Sequence, residues 1–143
     1  MTAIAEQLLR EAGWSPGRRV DASAGIETLV SEGYEPWPSL IAFLEEYSGL
    51  TLRFEVEGVA SRTWFDAAGA CERFDNSWVE GYEARTETAV APVGFGHLDH
   101  MVILMGADGR WFGAYDDVLG VVGHDVLSMV ESLTRPKSFV QRL

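Results

Sequence analysis

His97-Leu98-Asp99-His100 is the one cluster in the chain whose residue types suit metal binding or acid–base chemistry. On an extended backbone His97 and Asp99 share one face and His100 takes the other. A helix would align the two histidines, but Pro92, Gly94 and Gly96 just upstream argue against one. A metal would also need ligands from elsewhere, with His124 and Asp125 as the candidates, and no cysteine pair completes a structural zinc site. The favoured reading is a polar loop leading into a buried strand, with no metal and no cofactor. Cys71 has acidic neighbours that would raise its pKa, so it reads as a small, partly buried apolar residue rather than a nucleophile. No Gly-x-Ser-x-Gly turn is present. Gly94-Phe95-Gly96 lacks the third glycine and the following helix of a phosphate loop, and reads as a flexible bend. No catalytic residue is assigned.

The charge points toward binding instead. The formal net charge is -11 over 143 residues. Glu35 to Asp125 holds 16 acidic and 5 basic residues, so the excess lies in the middle of the chain. Such a surface repels a phosphate backbone, which disfavours direct nucleic-acid binding. It attracts a basic partner and accelerates its association. No apolar run is long enough to span a bilayer, and the first residues carry no basic segment leading into an apolar stretch. With a single cysteine, these features predict a cytoplasmic protein with no membrane partner.

The elements that must position these residues are legible in outline. No repeat or linker divides the chain, which predicts one domain over residues 1–143. Three helix-then-glycine units open it: Ala3–Ala12 before Gly13, with Thr2 as cap and Ile4, Leu8 and Leu9 inward; Ala22–Glu32 before Gly33, with Ile26, Leu29 and Val30 inward; and a helix from Pro38 closed by Gly49. The period then changes. Leu50, Leu52, Phe54 and Val56 alternate with polar residues as a half-buried strand, with Arg62 to Phe65 returning after Gly58. A short helix over Ala67–Phe74 and a helical turn carrying Trp78 and Tyr82 follow. Thr88 to Val93 reads as a strand. Met101 to Met105, Asp108-Gly109 and Arg110 to Tyr115 form the clearest hairpin. Val118 to Val122 adds an edge strand, and Asp125–Leu133 is the closing helix. This order predicts an α+β fold whose mostly antiparallel sheet is covered by helices on one face, the other face being partly open.

One stretch is more specific than composition. Leu8-Leu9-Arg10-Glu11-Ala12-Gly13-Trp14-Ser15-Pro16-Gly17-Arg18-Arg19-Val20-Asp21 is followed, after one helix, by Phe43-Leu44-Glu45-Glu46-Tyr47-Ser48-Gly49-Leu50. Trp64-Phe65-Asp66, Ala91-Pro92-Val93-Gly94, Gly109-x-x-x-Gly113 and Leu119-Gly120 extend the pattern along the chain. In these residues the chain resembles the third subgroup of the SUKH superfamily. The resemblance implies a helix-covered, mostly antiparallel α+β domain. It also implies a bacterial immunity protein that binds and neutralises a cognate polymorphic toxin, and not an enzyme. It carries over no functional residues.

Charge and aromatic content supply the candidate surface. Glu45, Glu46, Asp75, Glu80, Glu83, Asp116 and Asp117 are interleaved with aromatic residues, a combination that suits recognition of a basic, nuclease-like toxin surface. Trp78 and Tyr82 are the aromatic anchor candidates. Trp14, Trp64 and Trp111 read as core, Trp37 as a brace outside the third helix, and Arg135, Lys137 and Arg142 as a solvated tail. Two other functions are open at this point. One is a general protein-interaction module unrelated to toxins. The other is a small metal-dependent enzyme using His97, Asp99 and His100.

Overall fold

The computed structural model describes residues 2–143. Three helices come first: α1 (Thr2–Glu11), α2 (Ser23–Ser31) and α3 (Pro38–Tyr47). Gly13, Gly33 and Gly49 follow them with φ of 114°, 98° and 88°, the left-handed conformation that ends a helix with least strain. The expected cap at Thr2 rests on a side chain outside the described part of the chain. Two inward stripes differ from expectation. Ala5, not Ile4, joins Leu9 in the core, and Val30 on α2 faces solvent while Leu29 is buried.

The two halves of the N-terminal signature meet in space. The Trp14 indole stacks on Tyr47 and donates to the Glu46 carboxylate at 2.9 Å. The Arg18 guanidinium donates to the backbone carbonyls of Glu46 and Ser48. A fixed cation thereby satisfies carbonyls that the end of α3 leaves unpaired. The Gly-Trp-x-Pro-Gly-Arg turn is thus a clamp on α3 and does structural work.

Seven strands then form one sheet in sequential order, every neighbouring pair antiparallel. They are β1 (Thr51–Val56), β2 (Val59–Phe65), β3 (Val90–Gly96), β4 (Met101–Gly106), β5 (Trp111–Tyr115), β6 (Val118–Gly123) and β7 (Gln141–Arg142). Between β2 and β3 lie α4 (Ala67–Arg73), a 3-10 turn (Asn76–Trp78) and α5 (Val79–Thr86). The closing helix α6 (Val126–Leu133) starts with a capping box between Asp125 and Ser128. The fold is α+β.

Two strand expectations are corrected. Gly94-Phe95-Gly96 is not a bend: all three residues are buried within β3, where Gly94 pairs with Phe65. Val118 to Val122 is not an edge, because β7 adds to its outer side. Val140 N–H donates to Val121 and Leu143 N–H to Leu119, so the segment after α6 returns to the sheet and is not a free tail. The outer backbone of β6 would otherwise be an unpaired edge.

Side chains alternate between two cores across the sheet. On one face Phe65, Val93, Ile103, Met105 and Trp111 meet α1, α3 and α6, with Phe43 packing against both Phe65 and Trp111. On the other face Phe95, Val102, Leu104, Phe112 and Leu119 meet Phe74, at the end of α4, and Tyr82 on α5. α5 covers only part of this second face, and the hollow beside it is where the candidate site lies.

Candidate partner-binding surface

The hollow has a volume of about 290 Å³ and is floored by Phe95, Val102 and Ala114 of the sheet. Its walls come from the segment joining α4 to α5, the β3–β4 turn and the β5–β6 turn. Each wall is held by local chemistry. Asp75 caps the 3-10 turn by accepting from the Ser77 N–H at 3.0 Å. That bond holds its pKa below the usual carboxylate value, so it is an anion at neutral pH. Phe74, Tyr82 and Trp78 form a stacked ladder, with Tyr82 in the middle at 6.2 and 6.0 Å from its neighbours.

The β5–β6 turn is tied to α5 through its backbone. The Tyr82 hydroxyl donates to the Asp116 carbonyl, and the Arg85 guanidinium donates to the Asp117 carbonyl at 2.7 Å. Neither Asp116 nor Asp117 has an ion-pair partner among the described residues. Their carbonyls hold the turn while both carboxylates stay free of internal pairing.

Some of the expected anchors meet here and some do not. Asp75, Trp78, Tyr82 and Asp116 line the hollow together, with Asp117 adjacent. Trp78 is 40% exposed and fits the role of a contact residue. Tyr82 is only 2% exposed, so it supports Trp78 from within the core and offers no contact surface. Glu80 and Glu83 lie on α5; the Glu83 carboxylate is already engaged by the Val90 N–H at 2.9 Å. Glu45 and Glu46 sit on α3, which packs against the opposite face, where Arg19 and Trp14 hold them. Tyr115, 43% exposed and lining the hollow, also fits the role of a contact residue, though it is not among the anchor candidates named from sequence. Its only signal was a place at a strand end beside two aspartates. Of the tryptophans read as core, Trp111 is buried, whereas Trp14 and Trp64 are half-buried.

The His97–His100 cluster does other work. The stretch is neither extended nor helical: His97, Leu98 and Asp99 have φ of 51°, 55° and 68°, a left-handed turn disfavoured for side chains of this size. Asp99 anchors it. Its carboxylate accepts from the Trp64 indole and the Arg62 guanidinium, each at 2.6 Å, and Arg73 lies 3.6 Å away. Desolvation pushes its pKa up, but the Trp64 and Arg62 bonds and the two guanidinium charges outweigh that, leaving it lowered. His97 Nε2 lies 2.7 Å from Ser138 Oγ. Among the described residues no three His, Cys, Asp or Glu side chains converge as metal ligands. The Cys71 thiol is pushed up to about 11, first by burial and then by Glu32 and Asp66, so little of it is thiolate at neutral pH.

His97 gives the surface a pH dependence of defined sign. Burial, then the charge of His100, lowers its pKa from 6.5. The unfolded chain therefore takes up a proton that the folded ring resists. The stability contributed by neutral His97 is present above about pH 6.5 and is lost as pH falls from there through the lowered folded value. His97→Asn tolerates the left-handed backbone and does not titrate. Melting temperatures measured from about pH 8 to about pH 5 should fall less steeply for the variant than for the wild type; equal slopes would contradict the assignment.

No described helix is long and apolar enough to cross a membrane. Residues 1–135 match the family model described as SUKH-3 immunity protein. No curated protein and no solved structure matches the chain.

Proposed function

The chain belongs to the SUKH-3 immunity protein family, and from that membership we propose that it binds one cognate toxin domain in the cytoplasm and occludes a basic active-site or substrate surface. It acts by binding and catalyses nothing. The observation that carries this reading is the hollow beside α5. Trp78 and Tyr115 are exposed aromatic residues at its rim, with Asp75 and Asp116 in its wall and Asp117 next in sequence, all three without an ion pair among the described residues. Exposed aromatic rings supply contact area at little cost in side-chain entropy. Unpaired carboxylates steer a basic surface and select for it. The whole chain's net charge of -11 reinforces the steering and opposes direct nucleic-acid binding. An interface of ordinary size, about 1,600 Å² in total, reaches well beyond the hollow onto the exposed acids of α5 such as Glu80.

The test is a calorimetric titration against candidate toxin domains encoded by the neighbouring genes, at low and moderate salt. Tight binding that weakens by about tenfold as salt rises from about 0.05 to about 0.5 M is the expected result. Binding without salt dependence would keep the immunity role and remove the charge argument. Absence of binding would favour a general interaction module.

A further inference from the structure

A second, larger hollow of about 550 Å³ adjoins the first, and Tyr115 and His100 line both. It lies between the β3–β4 turn and the segment after α6, with Met101, Tyr115, Phe139 and Val140 as apolar lining. Its charge is reversed. Lys137 and Arg142 line it, and among the described residues no carboxylate does. Neither cation is in an ion pair among the described residues. Val140 is 55% exposed. Of the seven large hydrophobic residues that the described chain exposes, Trp78, Tyr115 and Val140 line the two hollows, and Leu98 sits in the turn between them. Apolar exposure concentrated in one place marks a contact surface more strongly than scattered exposure does. The wall of this hollow is also tied down, since the buried Ser138 hydroxyl is held by His97.

Residues 136–143, which build that wall, lie outside the residues matched to the family. We propose that this second hollow is the specificity half of the toxin interface, taking an apolar side chain of the cognate toxin that stands beside a carboxylate. The first hollow and the net negative charge suit any basic partner. An apolar side chain flanked by an acid, next to a basic patch, is a far narrower demand, and a partner without the acid would leave Lys137 and Arg142 facing its apolar surface. The inference rests on the toxin-binding role proposed above.

Two variants test it without touching the core: Val140→Asp, and Lys137→Glu combined with Arg142→Glu. All three positions are exposed. The first probe is anilinonaphthalene sulfonate, an aromatic anion of the required chemistry. The dye should brighten with the wild type, bind at least about tenfold more weakly to both variants, and be displaced by the toxin domain. The second probe is the toxin domain itself, which should bind both variants at least about tenfold more weakly than the wild type. Unchanged toxin affinity in both variants, alongside weakened binding by Trp78→Ala, would overturn this inference and leave the first hollow in place. A toxin domain that fails to bind the wild type would overturn the toxin-binding role, and the occupant assigned here with it.

Discussion

Trp78→Ala is expected to weaken the toxin complex by about 2 kcal/mol, or about thirtyfold in Kd, while the protein remains folded. The argument is one of position. Trp78 stacks on Tyr82, which is fixed in turn by Phe74 and by its hydroxyl bond to the Asp116 carbonyl. A ring that is exposed yet held by a buried ladder is ordered before binding, so little side-chain entropy is lost on contact. Its truncation removes contact area at the rim of the hollow and opens no cavity in either core cluster. Asp116→Asn separates charge from contact. Asparagine accepts the φ of 50° that Asp116 adopts, and the carboxylate it replaces has no ion pair among the described residues. Association should slow several-fold and lose much of its salt dependence, with a smaller change in dissociation. Affinity and circular dichroism measured together decide the matter. A Trp78→Ala protein that is folded and binds like the wild type removes the hollow from the interface.

Gly94→Ala is expected to be the most damaging small substitution. A Cβ at that position would stand 2.0 Å from the Trp64 carbonyl oxygen and 3.1 Å from Phe65 Cα, both backbone atoms with nowhere to move. Only two residue rows join β2 to β3, Trp64 with Phe95 and Phe65 with Gly94, and the added methyl falls on one of them. The β1–β2 hairpin would be pushed off the rest of the sheet. Trp64 would then lose its place beside Asp99, which anchors the left-handed β3–β4 turn shared by both hollows. The cost should be at least about 3 kcal/mol, lowering the melting temperature by roughly 10 °C or preventing folding. A variant that melts with the wild type would show that β2 and β3 are not in this register.

The same glycine shows where sequence reading stopped. Gly94 and Gly96 carry a local signal for a bend, but the need they meet is the close approach of a neighbouring strand far away in sequence. Elements specified locally were legible. The alternation of β1 and the Asp108-Gly109 turn of the β4–β5 hairpin depend on adjacent residues, and Gly109 has the expected φ of 95°. β7 was not legible, because two residues carry no periodicity and its pairing is set by where α6 ends. Trp78 and Tyr82 looked alike, four residues apart in one polar segment. Only the docking of α5 on the second face of the sheet separates the exposed ring from the buried one. Glu45 and Glu46 looked like free surface acids, yet each answers a residue of the N-terminal turn, Arg19 and Trp14, brought alongside by the fold. Residue types therefore indicated an acidic, aromatic candidate surface, and the tertiary arrangement brings Asp75, Trp78 and Asp116 together around one hollow.

The most direct test of the central claim is growth of cells expressing candidate toxin domains drawn from the neighbouring genes, with and without this chain. The wild type should restore growth. The Trp78→Ala, Asp116→Asn double variant, present at the same level, should restore it poorly. Failure of the wild type to protect would contradict the immunity role, and full protection by the double variant would contradict the surface assigned to it.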